Sequence, residues 1–383
     1  MLKNIFSKSI SKNYSNETRS IIRLIRSENV GIRTFYALMN IYKTATIALE
    51  NIKDLAFRGG RQKPIKIYSE EDLESELKKL SSIGANISTY LDADYPPLLK
   101  HIHDAPPVIN YLGNKELFQN KICAIVGARN ASINGRNFAA TIAKSISEHG
   151  ITIASGLARG IDASAHEASL PSTIAVIAGG IDHIYPPENT KLYEKIARDG
   201  GVIIAESRVG SAPLAQHFPQ RNRIISGLSH IILVVEASFK SGSLITAKRA
   251  LEQGRDVCAV PGFPLDPRAE GTNRLIKEGA FLVESYHDVL AHFQNERRVF
   301  NFNDNKHELF ETLECSNDHI DHKQMDEILK LLSSTPISIE EILKYTELSL
   351  PVIYRILLAL ELAGNILRHP GNKYSRIYAD CSY

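Results

Sequence analysis

Cysteine is scarce in this sequence, and long apolar runs are missing. The 383 residues contain four cysteines, at positions 123, 258, 315 and 381, and none of them lies in a C-x-x-C pair. This spacing argues against a disulfide framework and a paired-cysteine zinc site, and it indicates reduced cysteines in the cytoplasm. No stretch approaches the roughly 18 apolar residues of a membrane span, so we expect no membrane association.

The fingerprints of nucleotide-dependent enzymes are also missing. Gly127 is followed by Ala128 and Arg129, so the first glycine loop is not G-x-G-x-x-G, and no G-x-x-x-x-G-K-[ST] loop occurs. The hydrolase pattern G-x-S-x-G and the zinc-peptidase pattern H-E-x-x-H are absent as well. These absences exclude an NTPase P-loop and argue against a dinucleotide cofactor. We therefore expect no cofactor and no catalytic residue.

Two small polar clusters could still carry chemistry. Cys315, His319 and His322 have a spacing that resembles metal ligation, but they lie in a polar segment without a fourth ligand, so we expect no metal site. Asp162 and His166 are four residues apart and would share one helical face, which suits a catalytic pair. The favoured interpretation is structural: Asp162 orders the start of a helix and His166 packs near the sheet.

Charge and composition divide the chain into segments. Residues 1 to 80 carry 15 Lys and Arg against 9 Asp and Glu, whereas residues 324 to 383 carry 6 against 7, so only the N-terminal end is basic. Helical periodicity, a polar stretch and a pattern of three short helices with a hairpin set the boundaries. We predict a disordered tail (1–18), a small helical domain that is SAM-like or helix-hairpin-helix-like (19–85), a core (86–294), a linker (295–322) and a winged helix (323–383).

The core has the pattern of an α/β fold. Apolar runs of four to seven residues, predicted as strands, alternate with amphipathic stretches of helical length, which predicts an extended Rossmann-like, doubly wound parallel sheet. The prolines between Tyr95 and Pro107 predict an extended segment, since they forbid a regular helix there. The predicted strands are 121–127, 151–155, 173–178, 202–205, 231–236, 256–260 and 281–283.

Small-residue loops and arginines follow these strands. At the carboxyl edge of a parallel sheet, glycines let backbone N–H groups approach an anion, and the planar guanidinium matches phosphate. Phe218, beside Arg221, adds a ring on which a base could stack, although a salt-bridged loop is the alternative for this segment. The candidate phosphate-binding residues are Gly127, Arg129, Ser132, Gly156, Arg159, Gly160, Arg221, Asn222, Arg223, Ser241, Gly242 and Ser243.

Longer motifs follow one another in an order that a known family shares. They include YPPLL (95–99), VGAR (126–129), SGLARGID (155–162), YPPEN (185–189), FPQRNRIISGLS (218–229), SGSLITA (241–247), AVPG (259–262) and GTN (271–273). Each motif is weak alone, but their number and order are specific. The chain resembles the DNA-processing protein A family, also called Smf, along nearly its whole length.

This resemblance implies a nonenzymatic core that binds single-stranded DNA and delivers it to the RecA recombinase, often during natural transformation. Single-strand-binding protein is a further expected partner. The family's phosphate pocket falls on Gly127, Arg129, Gly156, Gly160, Arg221 and Arg223, which the residues themselves had already indicated. The resemblance also implies a homodimer formed by the C-terminal part of the core, where the interface would contain Asn273, Leu275, Ile276 and Phe281.

The sequence departs from the family pattern in two places and leaves two other functions open. Ala128 stands where many relatives have Ser or Thr, and Glu347 and Glu361 flank the expected recognition helix of a charge-neutral winged helix, which favours a partner-binding role for that domain. One alternative is a nucleotide phosphoribohydrolase on a related core, but the loop at 240–247 lacks the required glutamate. The other is a protein-binding adaptor whose basic N-terminal third contacts nucleic acid.

Overall fold

The structure is a computed structural model that describes residues 14–294 and 322–378. Contacts divide the described residues into two compact units. Residues 75–294 form the first unit, and residues 14–74 together with residues 322–378 form the second. The predicted linker at 295–322 lies outside the described residues except for its last position, and so do residues 1–13 of the predicted tail.

Four helices open the described part of the chain: α1 (Asn16–Arg26), α2 (Ile32–Tyr42), α3 (Ala45–Arg58) and α4 (Glu70–Ser82). Ser15 caps α1 by accepting a hydrogen bond from the Thr18 N–H at 3.1 Å, which is the role that serine commonly has at a helix start. The prediction of a disordered tail up to residue 18 was therefore wrong for residues 16–18, because this cap begins the first helix earlier.

One nine-stranded sheet organises the first unit. Its spatial order is β1-β2-β6-β5-β4-β3-β7-β8-β9, in which β2 runs antiparallel to both of its neighbours, β1 and β6, and all other neighbouring strands pair in parallel. The predicted Rossmann-like α/β class is confirmed. The strands are β1 (Asn86–Thr89), β2 (Val108–Gly113), β3 (Ile122–Val126), β4 (Thr152–Ser155), β5 (Thr173–Ile177), β6 (Val202–Ala205), β7 (Ile231–Val234), β8 (Asp256–Ala259) and β9 (Phe281–Leu282).

Helices cover both faces of this sheet. They are α5 (Pro97–Lys100), α6 (Ile133–Glu148), α7 (Ile161–Ser169), α8 (Thr190–Arg198), α9 (His217–Leu228), α10 (Gly242–Glu252), α11 (Glu270–Lys277) and α12 (Tyr286–Gln294). Strand β3 shows why its sequence is uniformly apolar. Ala124 and Val126 pack in the cluster that contains α9 and α10, whereas Cys123 and Ile125 pack in the cluster that contains α6 and α7.

The order of the strands reverses at β3. Strand β4 follows β3 along the chain and lies on one side of it, whereas β7 lies on the other side. The loops that leave β3 and β7 therefore diverge, and ligands of open α/β sheets bind in the crevice that forms at such a switch point. The fold thus places a crevice where the sequence has its glycine loops.

Two local predictions in the core were wrong. Residues 95–107 are not extended throughout, because Pro97 occupies the first turn of α5, where the missing N–H of proline costs nothing. The sequence predicts a loop at residues 218–223, but they lie in α9, in which Pro219 again falls within the first turn. The arginines of this segment therefore project from a rigid helix.

The C-terminal part of the second unit is a winged helix, as predicted. A capping box between Ser338 and Glu341 starts its second helix. Its three strands pair in the order β10-β12-β11. The elements are α13 (His322–Leu331), β10 (Ile337–Ser338), α14 (Ile339–Tyr345), α15 (Leu350–Ala363), β11 (Ile366–His369) and β12 (Lys373–Arg376).

Helix α15, the expected recognition helix, is packed on two sides. One side forms the core of the winged helix, with Ile353, Ile356, Leu357 and Leu360. The other side meets α3 so closely that a Cβ on Gly59 would lie 2.0 Å from the Ala359 carbonyl oxygen. Asn365 Nδ2 donates to the Gly59 carbonyl at 2.7 Å, and Asn29 Nδ2 donates to the Leu362 carbonyl at 3.2 Å. The N-terminal helices therefore cover the C-terminal half of this helix.

Glu361 illustrates the same packing. The sequence places this acid beside the expected recognition helix, where it would repel a nucleic acid. In the structure, Thr34 Oγ1 donates to its carboxylate at 3.4 Å, and burial raises the pKa of Glu361. Its charge is therefore turned towards the N-terminal helices.

Candidate functional site

A cavity of about 620 Å³ opens at the switch point. Its walls are the loop after β3, the start of α9, the loop after β7 and the start of α10. Seven of the predicted site residues line it: Gly127, Arg129, Arg221, Asn222, Ser241, Gly242 and Ser243. Phe218, which the sequence predicts as a stacking ring, and Asp162, for which it favours a structural role, also line the cavity. The sequence analysis did not indicate four other lining residues, namely Asn130, Ser238, Thr246 and Arg268.

Arg221 forms the buried part of this cavity. It is 7 % exposed, and within the described residues its Nε has no hydrogen-bonding partner. Burial lowers the pKa of Arg221 to about 10, with Asp162 acting to raise it and Arg129 to lower it. A buried guanidinium without a hydrogen-bonded counter-ion is costly unless a ligand supplies the missing acceptors. This side chain is therefore built to receive an anion.

Gly156 makes room for this arginine. A Cβ at position 156 would lie 1.5 Å from one terminal nitrogen of Arg221, so the guanidinium rests directly against the glycine backbone. No other residue type leaves that space. Gly156 does not line the cavity, and its contribution is to seat the arginine that does.

Arg129 provides a second charge at the cavity. Its guanidinium carbon lies 5.4 Å from the centre of the Phe218 ring, a cation–π geometry that leaves the planar donors available at the edge. Arg268 adds a third guanidinium, which Asp266 holds in a bidentate pair at 3.0 and 2.9 Å. The cavity thus combines three arginines with one lining carboxylate, that of Asp162.

The start of helix α10 faces the same cavity. Ser241 caps this 11-residue helix, and Gly242 and Ser243 form its first turn. The first turn of a helix carries free N–H groups and a partial positive charge, which favour an anion. Asn222 is tied to this turn, since its Nδ2 donates to the Gly242 carbonyl at 3.3 Å.

The loop after β4 differs from its sequence-based interpretation. We expected its N–H groups to grip phosphate, but three successive ones are bonded inside the protein. Asp162 Oδ2 accepts from the N–H of Gly156 at 3.1 Å and of Ala158 at 3.4 Å, and His166 Nε2 lies 3.4 Å from the Leu157 nitrogen. These amides are therefore unavailable to a ligand, and the anion-binding character comes from the arginines and α10.

Asp162 and His166 have the structural roles that the sequence favoured. Both are buried, and His166 Nδ1 lies 2.7 Å from Thr173 Oγ1. Burial, assisted by the positive charge of Arg221, lowers the pKa of His166 to about 3, so the ring stays neutral. Burial raises the pKa of Asp162, against the effect of Arg221.

Ser132 also lies outside the cavity lining. Its N–H and its hydroxyl both donate to the carboxylate of Glu236, at 2.9 and 2.5 Å. The glutamate comes from the end of β7 and occupies the N-terminus of α6, which is the anion site of many Rossmann-like folds. The protein therefore satisfies this helix start with its own carboxylate.

Three further predicted residues have other surroundings. Arg223 is buried in α9, where it bonds Glu206 at 2.5 Å and the Asp104 carbonyl at 2.6 Å. Arg159 is exposed and pairs with Glu188 at 3.3 Å. Gly160 has a φ of +78°, and a Cβ there would lie 2.4 Å from the Ala128 carbonyl oxygen. Its role is therefore to let the loop after β4 approach the loop after β3 closely.

The expected dimer residues lie at the far edge of the sheet. Phe281 is 47 % exposed on the edge strand β9, and its neighbour Leu282 is 46 % exposed. Leu275 and Ile276 are half-buried on α11, and Leu275 packs against the core. Asn273 is tied to the preceding loop, since it exchanges hydrogen bonds with the Gly262 backbone at 3.1 and 2.9 Å.

Within residues 14–294 and 322–378 there is no group of three or more side chains placed to hold a metal ion. Cys315 and His319, which with His322 have a spacing that resembles metal ligation, lie outside the described residues. In the same described ranges, no helix has the length and apolarity needed to cross a membrane.

Three family models match the chain. The model for DNA recombination-mediator protein A matches residues 86–294, a DprA-like N-terminal HHH domain matches residues 15–78, and a DprA winged helix domain matches residues 319–372. Protein Smf of Synechocystis is 34 % identical over 373 residues, covering 89 % of this chain and 92 % of the relative. DNA processing protein DprA of Streptococcus pneumoniae is 44 % identical over 225 residues, 58 % of this chain and 77 % of the relative.

Two solved structures are similar to this fold. The X-ray structure of DNA processing protein A from Streptococcus pneumoniae superposes with a TM-score of 0.60 at 34 % identity, over 73 % of this chain and 98 % of that one. The protein of the same name from Helicobacter pylori, whose structure is described as showing a unique single-stranded DNA binding mode, has a TM-score of 0.51 at 28 % identity. That similarity covers 55 % of this chain and 96 % of the other.

Proposed function

This chain belongs to the DNA recombination-mediator protein A family, and from that premise we propose that it binds single-stranded DNA through the cavity at the switch point. The family consists of DNA-binding recombination mediators and not of enzymes, so the phosphoribohydrolase alternative is set aside. The Helicobacter pylori relative is described as binding single-stranded DNA, which supports the same ligand here.

The observation that carries the proposal is Arg221. Its guanidinium is buried and lies at the bottom of a cavity whose other charged donors are Arg129 and Arg268. A phosphate in this position would accept hydrogen bonds from the guanidinium of Arg221, whose Nε has no acceptor among the described residues. Charge-assisted hydrogen bonds of this kind are among the strongest in proteins. The same cavity offers Phe218 as an aromatic surface for a base.

The recessed position of Arg221 favours a single strand over a duplex. A flexible strand can turn one phosphate and its base into a cavity of about 620 Å³. A duplex presents its phosphates on a stiff rod, with a persistence length of about 150 base pairs, and could reach only the rim. We therefore expect the preference for single strands to depend on the buried arginine more than on the exposed ones.

Binding titrations test this proposal. Fluorescence anisotropy of a labelled oligothymidine and of a matched duplex would be measured between low and moderate salt, for the unchanged protein and for R221Q. The loss of one charge-assisted contact, about 1.5–3 kcal/mol, predicts roughly 10- to 100-fold weaker single-strand binding. The slope of log K against log salt should fall by about 0.7.

The matched control is R198Q. Arg198 carries the same charge on a side chain that is 63 % exposed and pairs with Asp199 at the surface of α8. R198Q should bind single strands within about twofold of the unchanged protein. Equal affinities of R221Q and R198Q, with both proteins folded, would remove the cavity as the binding site.

We propose further that the protein acts in the cytoplasm as a homodimer and delivers the strand to the RecA recombinase, with single-strand-binding protein as another partner. The exposed Phe281 and Leu282 on edge strand β9 support a dimer at this edge, because an unpaired edge with large apolar side chains favours association. Light scattering of L282D should show half the mass of the unchanged protein. An unchanged mass would place the interface elsewhere.

The domain division 19–85, 86–294 and 323–383 remains our proposal, with DNA binding assigned to the middle segment. The packing of α15 against α3 supports this assignment, since the C-terminal half of the expected recognition helix is covered. Crosslinking to DNA followed by peptide mapping separates this from the adaptor alternative. Labelling confined to residues before 80 would favour the adaptor.

A further inference from the structure

Asp162 holds an unusual position beside the cavity. It is 6 % exposed and lines the cavity that contains Arg221. Its Oδ2 accepts the N–H groups of Gly156 and Ala158, at 3.1 and 3.4 Å. Gly156 is also the residue against which the Arg221 guanidinium rests. One glycine therefore separates a buried carboxylate from a buried guanidinium.

The two charges attract each other without forming a salt bridge. Among the described residues, the side chain of Arg221 has no ion pair within 4.0 Å, and the interaction with Asp162 is purely electrostatic. The loop amides explain this arrangement. They orient the carboxylate towards the backbone, so it steadies the arginine and leaves the arginine's donors unused.

The effect of this carboxylate on a ligand follows from its position. In the empty site, its negative charge compensates the buried Arg221 and stabilises the protein. In the occupied site, the same charge lies close to a bound phosphate and repels it. Both effects favour the empty site, so both lower the affinity for an anion.

We propose that Asp162 is a positioning residue that holds Arg221 ready and at the same time limits the affinity of the cavity for the DNA strand. This inference rests on the proposed function, since it concerns the same cavity. A protein that passes a strand to a recombinase must release it, and an internal carboxylate speeds release without removing any contact that recognises the phosphate.

The test compares three substitutions at this position and one elsewhere. D162N keeps an oxygen acceptor for the loop amides and removes the charge, so it should bind labelled oligothymidine about three- to tenfold more tightly, mainly through slower dissociation. D162E keeps the charge on a longer side chain that can reach Arg221, so it should bind more weakly. D162A removes both the charge and the acceptor and should lower the thermal stability most, because the amides of Gly156 and Ala158 lose their partner.

The matched control is D182N. Asp182 also accepts a backbone N–H, that of Gly210 at 2.7 Å, and lies outside the lining of the cavity. D182N changes the net charge by the same amount as D162N and should alter the affinity for the oligonucleotide by less than about twofold. The rise in melting temperature that the oligonucleotide causes is a second measure of binding, because each variant is compared with itself in the absence of DNA. This rise should be larger for D162N than for the unchanged protein.

The outcomes separate this inference from the proposed function. If R221Q weakens binding while D162N binds as the unchanged protein does or more weakly, the role of Asp162 is overturned and the cavity remains the binding site. If R221Q and D162N both bind as the unchanged protein does, the proposed function itself fails. Equal tightening in D162N and D182N would reduce the effect to net charge and would also overturn the inference.

Discussion

Gly156→Ala is the smallest substitution that tests how the cavity seats its buried arginine. The new Cβ would lie 1.5 Å from a terminal nitrogen of Arg221 and 2.5 Å from its central carbon. Ordinary contact requires about 3.4 Å, so the guanidinium must move by roughly 2 Å. The obstacle is the far end of a flexible side chain, which can move into the cavity without displacing the backbone.

The expected magnitudes follow from this geometry. The displacement should lower the free energy of unfolding by only about 1 kcal/mol, comparable to a strained rotamer. It should weaken single-strand binding far more, because a guanidinium displaced by roughly 2 Å loses its hydrogen bonds to phosphate, worth about 1.5–3 kcal/mol. That loss corresponds to a roughly 10- to 100-fold higher Kd.

Anisotropy titrations and urea unfolding of the same preparations measure both quantities. Gly31→Ala is the control, since no heavy atom lies within 4 Å of a Cβ at that helix start. A G156A protein that binds within about twofold of the unchanged one would refute the reasoning. So would a loss of binding that merely follows a loss of folded protein.

Three further predictions concern other parts of the structure. R223Q should lower the free energy of unfolding by about 1.5–3 kcal/mol, because the buried Arg223 loses its charged hydrogen bonds to Glu206 and to the Asp104 carbonyl, while the folded fraction keeps its DNA affinity; equal stability would contradict the structural role of this arginine. The pKa of His166 is about 3 when folded and near 6.5 when unfolded, so only the unfolded chain gains this proton as the pH falls from 7 to 5. Stability should then fall over that range by about 2 kcal/mol more in the unchanged protein than in H166Q, as urea titrations would show. Gly59→Val should collide with the Ala359 carbonyl and speed hydrogen exchange in α3 and α15, with DNA affinity unchanged; slow exchange in both helices would refute this packing.

Much of the fold could be predicted because each central strand is buried on both faces. Their apolar runs start and end within about two residues of the observed strands, as at 202–205. Helix α9 was missed because its first turn holds Pro219 among polar residues, which is typical of a loop. Only the packing of Ile224, Ile225 and Leu228 on the sheet makes this segment helical.

The sequence could predict which residues belong to the candidate site, but not which of their groups face the cavity. The sequence indicated Arg129, Arg221 and the turn at Ser241–Ser243, and all of them line one cavity. It could not show that the amides of residues 156–158 point inward, because Asp162 and His166 accept from them only after α7 has packed. Nor could the sequence show that Arg223 has a structural role whereas Arg221 faces the cavity.

That second distinction depends on long-range partners. Arg223 meets the Asp104 carbonyl, 119 residues earlier in the chain, and no local pattern contains that contact. Arg221 has no such partner among the described residues. Two arginines two positions apart on one helix therefore have opposite roles, one structural and one open to a ligand.

The packing of α3 against α15 has a consequence for synthesis. The ribosome makes α3, which ends at Arg58, about 290 residues before it makes α15, which begins at Leu350. At about 5–20 residues per second, the N-terminal helices emerge some 15–60 seconds before the helix that completes their packing exists. During that interval the surface around Gly59 is open to solvent. The N-terminal helices can therefore complete their packing only after the last domain of the chain has been made.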